Sequence, residues 1–299
     1  MTTSELKRIP YLGIGMGLRD EIDEEIMDHK DRIDALEIIS ERFFDTRALA
    51  LDRLNHFADH FSIIPHGVKL SIASAQETEE KFLKNMKTLC EFVKAPYYSD
   101  HFALTRLPGV DIGHLSPIWF TREALDLMIR KINTIQNFLG IPLVLENISS
   151  LFTIAHGDFE EPEFITQACK QTGCGLLLDV TNVYINSYNR NQDPYAFLER
   201  LPLDHVVQIH LAGGKIKHER FLDTHSEEID GDNEGVWKLL EWVVQRCDIK
   251  ALIIERDQNF KKDFDTMILK DLAHIQEIVA KYGNRASPKN IRSLISNPL

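Results

Sequence analysis

The stretch TREALDLMIRKINTIQNFLGIPLVLEN, residues 121–147, holds a helix and a strand in direct succession. Leu125, Met128, Ile129, Ile132 and Ile135 recur at the three-and-four spacing of a single helix face. Gly140 stands where that helix must stop, because glycine enters the left-handed backbone region at no steric cost. The next run, Ile141 to Glu146, is almost continuously apolar, as a strand covered on both faces has to be, and it ends on Glu146-Asn147.

The same unit recurs outward in both directions. Short apolar or β-branched runs lie at Tyr11 to Gly17, Ala35 to Ser40, Ser62 to Ile72, Pro96 to Leu104, Gly175 to Val180, Val206 to Leu211 and Ala251 to Glu255, which with Ile141 to Glu146 makes eight. Amphipathic segments such as Thr78 to Phe92 and Glu161 to Gln171 fall between them, the latter stopped by Gly173. Eight such units in 299 residues predict one closed (β/α)8 TIM barrel over residues 1–280. An open doubly wound sheet needs no eighth strand, and the glycines of GIGMGLR have the wrong spacing for a dinucleotide fingerprint. No Pro-, Gly- or Ser-rich linker divides the chain, and the polar segment 281–299 is expected to be a frayed end or docking strand.

Composition narrows the partners. Forty-six acidic against 34 basic residues leave a formal charge of -12, a field that repels phosphate backbones and argues against nucleic acid. The segment MTTSELKRIPYLG lacks a signal-peptide core and no apolar run could span a bilayer, so a cytoplasmic protein without a membrane partner is expected. Cys90, Cys169, Cys174 and Cys247 form no CxxC pair and read as small buried hydrophobes in a reducing compartment.

Barrel proteins gather their chemistry at the carboxyl ends of the strands. There the sequence places Glu37-Ile-Ile-Ser-Glu41, His66, Asp100-His101, Glu146-Asn147, Asp179 with Asn182, His210, Asp223-Thr-His225, and Glu255 with Asp257. Taken singly, each has a bland reading: a strand-end histidine is more often a hydrogen-bonded structural group, Glu255-Arg256 an ion pair, and Asn147 or Asn182 a loop cap. Together, His66, His101, Glu146, Asp179, His210 and Glu255 end six different strands. Buried charge at that density is costly unless it is paired or holds metal, and the number of donors suits two or three ions. Alternation along the strand selects His101 over Asp100. Asp223 and His225 would project to one side of an extended segment as a chelating pair, and Glu255 and Asp257 share that spacing. The mixed donors suit iron, zinc or manganese better than magnesium. His29, His56, His60, His156, His205 and His274 fall in helices or connections and are expected to be solvated.

With these residues in place the chain resembles the multinuclear non-haem iron-dependent oxidases, the family that includes the oxidase of methanobactin maturation. The resemblance runs from GIGMGLR through IDALEIISERFF, HGVKLSIAS, YYSDHFAL and IPLVLENISS to ALIIERD. Its most specific part is LLLDVTNVYIN followed by IHLAG and DTH. It implies a xylose-isomerase-like barrel binding two or three irons in mixed Fe(II)/Fe(III) states. The implied ligands match His66, His101, Glu146, Asp179, Asn182, His210, Asp223, His225 and Glu255. It further implies use of dioxygen to alter cysteine or another residue of a ribosomally made precursor peptide, whose leader a partner protein or domain presents; since the barrel uses all eight units, a separate partner protein is expected. Two positions depart from the pattern: Gly214 stands where many relatives carry histidine, and Arg42-Phe43 follow Glu41 where Asn-Tyr is usual.

The mechanism this implies makes Glu146, Asp179 and His101 the catalytic metal-site residues, the first two shared between ions, with Arg19 and Arg256 available to peptide carboxylates. Its rivals are a three-metal phosphodiesterase barrel, a single-metal sugar isomerase or epimerase, and a binding scaffold without catalysis. The acidic balance opposes the first, and the number of histidines opposes the second.

Overall fold

The computed structural model describes residues 1–283 apart from positions 46–47, 108, 153, 227, 230–233, 259 and 261–263. Twelve strands occur among the described residues: β1 Gly13–Gly17, β2 Ala35–Ile39, β3 Ser62–His66, β4 Tyr98–His101, β5 Leu104–Leu107, β6 Val110–Ser116, β7 Leu143–Glu146, β8 Gly175–Asp179, β9 Val206–Ala212, β10 Gly214–Lys217, β11 Arg220–Asp223 and β12 Ala251–Glu255. Eight of them close a parallel barrel in the order β1-β12-β9-β8-β7-β4-β3-β2, the (β/α)8 architecture the eight runs predict. The other four form two hairpins, β5-β6 and β10-β11.

The unit that opened the sequence reading folds as its pattern dictates. The helix Arg122–Leu139 starts at Thr121, whose hydroxyl accepts from the Ala124 N–H at 3.3 Å, and stops at Gly140 with φ +78°. Its apolar stripe is buried against the sheet through Leu125, Met128, Ile132 and Ile135. Glu161–Thr172 likewise ends on Gly173 at φ +68°.

Two strands stop several residues before their apolar runs end. β3 stops at His66, because side-chain carboxylates take over the backbone donors that follow: Glu41 accepts from Val68 and Lys69, each at 2.9 Å, and Asp100 from Leu70 at 3.2 Å. The run beginning at Pro96 leaves the barrel after His101 and turns into the β5-β6 hairpin. The connection after β9, which carries Asp223, forms the β10-β11 hairpin. The final helix runs Leu269–Tyr282. Residues 284–299 of the expected tail lie outside the described residues.

A plug of Leu6, Ile9 and Leu12 enters the barrel from below and meets Ala35, Ile64, Tyr97, Val144, Leu177 and Ile253 inside it. These interior residues are apolar only in this lower layer, and the layer above is where the chemistry sits.

Candidate metal centre

Side chains two residues apart on a strand share a face. Two residues beyond Ala35, Ile64, Val144, Leu177 and Ile253 stand Glu37, His66, Glu146, Asp179 and Glu255. The interior therefore switches from hydrocarbon to ionisable groups within one strand repeat. Strand register completes the ring by placing His101 beside Glu146 and His210 beside Asp179.

Glu146 sits at the middle, 2% exposed. Its Oε2 lies 3.3 Å from His101 Nε2 and 3.6 Å from His66 Nε2, while its Oε1 lies 3.3 Å from His210 Nδ1. His210 Nδ1 is equally 3.3 Å from Glu255 Oε1. Three sets of donor atoms converge closely enough to share an ion: His66, His101 and Glu146; Glu146, Asp179, His210 and Glu255; and Glu37, His66 and Glu255. Glu146, His66 and Glu255 each belong to two sets, the pattern of a multinuclear site rather than a lone ion.

At the edge, His225 Nε2 meets Asp223 Oδ1 at 2.9 Å and Glu255 Oε2 at 3.7 Å, and its Nδ1 meets Asp257 Oδ2 at 3.3 Å. Asp223 and His225 thus come together, but not through an extended segment. His225 adopts φ +44°, and this left-handed turn folds the ring back onto the carboxylate. Asn182 lines the same pocket of about 300 Å³.

Around this core, other side chains orient the rings. Ser99 Oγ donates to the Pro65 carbonyl at 3.3 Å, so it accepts from His66 Nδ1 at 3.0 Å and leaves His66 Nε2 as a bare lone pair facing Glu146. Tyr97 donates to Gln208 Oε1 at 2.7 Å, which turns the Gln208 amide nitrogen toward Glu37 Oε2 at 2.5 Å. His210 Nε2 lies between the two, 2.7 Å from the Gln208 amide nitrogen and 3.0 Å from Glu37 Oε2, which turns His210 Nδ1 toward Glu146 and Glu255. Asp179 caps the helix Val180–Arg190 through Oδ1, which accepts from the Asn182 N–H at 2.8 Å. Asn182 Nδ2 donates to the Asn147 carbonyl at 3.1 Å.

What these contacts leave over is the most informative feature. His101 Nδ1, Glu146 Oε2, Asp179 Oδ2, Asn182 Oδ1, His210 Nδ1, Asp223 Oδ1 and His225 Nε2 are all buried without a well-formed hydrogen bond. Buried polar atoms are rarely abandoned in this way, and seven around one pocket fit bound cations.

The electrostatics agree. Burial, with the Glu146 and Glu255 carboxylates, pushes the Asp179 carboxyl well above its ordinary range. Burial would also raise Glu255, but His210 and His225 outweigh it and hold that carboxyl well down. Burial would lower His101, yet Glu146 and Asp100 lift it to about 9. His66 goes the other way, since burial and the neighbouring imidazoles of His101 and His210 outweigh the pull of Glu37 and Glu146. In this arrangement protons occupy the places of positive charge that metal ions would fill.

Several expectations change. Glu37, quoted as a strand-end residue but left out of the ligand set, lies in the cluster. Arg256 is buried, donating to the Gln258 carbonyl at 3.1 Å and reaching Met267, so it does not meet a substrate at the mouth. Arg19 lines the pocket and pairs with Asp257 at 3.2 Å. His205 is buried rather than solvated, with Nδ1 2.8 Å from the Cys174 carbonyl. The departures also have local reasons. A Cβ at Gly214 would stand 2.4 Å from the Phe221 ring and 2.6 Å from the Leu222 carbonyl, so the hairpin packing demands glycine. Arg42 and Phe43 lie in a 3-10 turn whose Glu41 holds the loop after β3.

Fold and site together define a xylose-isomerase-like α/β barrel with a candidate multinuclear metal centre at its mouth. Residues 13–280 match the family described as RiPP precursor modification enzyme MbnB/TglH/ChrH, and the chain belongs to that family, the one its motifs resemble. A UPF0276 protein of Caulobacter vibrioides is 33% identical over 279 residues, covering 93% of this chain and 99% of the relative. Among solved structures, D-psicose 3-epimerase from Clostridium cellulolyticum superposes with a TM-score of 0.56 at 8% identity, covering 90% of this chain and 98% of that one. Endonuclease IV from Thermus thermophilus gives 0.54 at 13% identity, over 87% and 98%. At such identities these likenesses establish the barrel alone.

Proposed function

We propose that the chain is a multinuclear iron-dependent oxidase that uses dioxygen to modify a residue, cysteine or another, of a ribosomally synthesised precursor peptide. Family membership supplies the coarser part, an enzyme that modifies RiPP precursors. The observation that carries the finer part is the set of buried donor atoms left without hydrogen bonds around Glu146. Their chemistry, imidazole with carboxylate, suits about two or three irons better than magnesium.

The proposed ligands are His66, His101, Glu146, Asp179, Asn182, His210, Asp223, His225 and Glu255, with Glu37 beside His210. Iron held there supplies one-electron chemistry with dioxygen and favours the deprotonated form of a coordinated peptide group. The residues of the chain prepare that site. Glu146 presents its two oxygens to different imidazoles, so it serves as a shared carboxylate. Asp179 commits one oxygen to its helix cap and keeps the other free for the pocket. Ser99 fixes His66 in the tautomer that turns a lone pair inward, and Glu37 with Gln208 orients the His210 ring. Asp223 and His225, carried by a hairpin and its exit turn, stand where the pocket opens and are the ligands best placed to adjust as substrate enters. The acidic surface and the absence, among the described residues, of a helix long and apolar enough to cross a membrane fit a peptide substrate met in the cytoplasm. A separate partner protein would deliver the leader.

Iron-loaded enzyme, precursor peptide and partner should consume dioxygen and yield a product of oxidatively altered mass, and strict anaerobiosis should stop both. Equal product with and without oxygen would reject the oxidase and favour hydrolysis or isomerisation.

A further inference from the structure

A second cavity, about 530 Å³, opens beside the metal pocket and is larger than the metal pocket itself. Its wall and floor include Phe102, Ile118, Phe120, Phe159, Phe164 and Ile165, and the ring centroids of Phe120 and Phe159 lie 5.2 and 6.2 Å from that of Phe164. The two cavities are lined by adjoining residues. Phe102 follows His101 directly and donates its N–H to the Glu146 carbonyl at 2.8 Å. Asn147 and Ile148, the residues after Glu146, line the cleft, and Ile148 also lines the metal pocket.

The rim carries charge, most of it paired. Arg190 pairs with Glu161 at 3.5 Å and Arg200 with Glu160, while Asp193 is engaged in capping its own helix through the Tyr195 N–H, so no cationic group is left to select an anionic ligand. Phe152 on the rim is 62% exposed. One donor is left over: Arg190 Nε is buried without a hydrogen-bond partner.

Resting on the reading of the chain as a precursor-peptide enzyme, we propose that this cleft is the specificity pocket for a bulky apolar, preferably aromatic, side chain of that peptide close to the residue held at the metal centre. The phenylalanine walls offer edge and face contacts to a ring. Ile148, which lines both cavities, places the anchor next to the modified position. Precursors would therefore be chosen partly by the barrel itself, in addition to any leader-binding partner.

The test uses full-length chain with methyl-labelled isoleucine and two probes, Ac-Trp-Gly-Gly-Cys-NH2 and Ac-Ala-Gly-Gly-Cys-NH2. The tryptophan peptide should shift the methyl resonances of Ile118, Ile148 and Ile165 and bind roughly tenfold tighter than the alanine peptide, the scale expected for burying a ring instead of a methyl. Ala196→Trp, at an exposed cleft position, should fill the space and erase the preference. Equal affinities, or shifts confined to methyls away from the cleft, would overturn the proposal. So would concentration-dependent shifts of the same methyls without peptide, which would assign the cleft to a second copy of the chain. A parallel arm with cobalt-loaded protein reads the thiolate charge-transfer band. Cleft shifts without that band leave the anchor standing and count against the metal centre, whereas the band with no tryptophan preference does the reverse.

Discussion

Replacing Ser99 by alanine tests the metal centre without touching a proposed ligand. Ser99 is fully buried on β4 and stands in register with His66. Its hydroxyl accepts a hydrogen bond from His66 Nδ1 at 3.0 Å and donates one to the Pro65 carbonyl at 3.3 Å. Without it the ring loses the contact that fixes Nε2 as the inward lone pair, and a buried donor goes unmatched. Two costs follow. Loss of the partner should destabilise the fold by about 1–3 kcal/mol. Loss of tautomer control should weaken metal binding about 10- to 100-fold, the usual effect of removing a group that orients a ligand histidine. At about 1.4 kcal/mol per decade, the binding loss is about 1.4–2.8 kcal/mol. Anaerobic chelator competition with iron-loaded Ser99→Ala and wild-type protein would measure it, alongside a denaturant curve for each. A destabilised variant with unchanged metal affinity would refute the reasoning and reduce Ser99 to a packing residue, with His66 Nε2 outside the metal set.

Further expectations come from other parts of the molecule. Asp223→Ala or His225→Ala should lower metal content and abolish turnover while the barrel stays folded, since both leave the core intact; full metal and activity in either variant would remove that residue from the site. Burial, then the neighbouring Asp100 carboxylate, pushes Glu41 up from 4.5 to about 7, so the folded chain keeps a proton that the unfolded chain releases. Its contribution is therefore fully present below pH 4.5 and lost as pH rises to about 7. Glu41→Gln should flatten that part of the stability profile, and an unchanged slope between those pH values would show that Glu41 does not carry it. Thr121→Ala removes the cap from Arg122–Leu139 and should cost about 1 kcal/mol in a denaturant titration, with metal content unaltered; no loss would mean that the cap is replaced by solvent.

The barrel was legible because its two periodicities do not overlap. Leu125, Met128, Ile132 and Ile135 can share a face only on a helix, and the short runs between such segments are too apolar to be anything but covered strands. The hairpins were not legible, because β4 and β5 share one apolar run and only three-dimensional pairing separates them. A polar residue that ends a strand is visible in sequence, and the structure brings three of these, Glu146, Asp179 and Glu255, together. Glu37 ends nothing: it sits inside Ala35–Ile39 with apolar neighbours, and its signal was the lone carboxylate on the inward parity of that strand. The pairing of Asp223 with His225 was anticipated on a false geometry, since a positive φ at a histidine leaves no mark in sequence. Which solvent-facing loop would enclose the aromatic cleft was likewise invisible, because its walls come from segments far apart in the chain.

The central claim is that the donors around Glu146 exist to hold several iron ions. Its most direct test is elemental analysis of protein produced with iron and purified without oxygen, compared with Glu146→Ala handled identically. The account predicts about two to three irons per wild-type chain, given the three converging donor sets, and a marked loss in the variant, whose missing carboxylate serves two of them. Stoichiometric magnesium, or no tightly held metal in the wild-type chain, would contradict it.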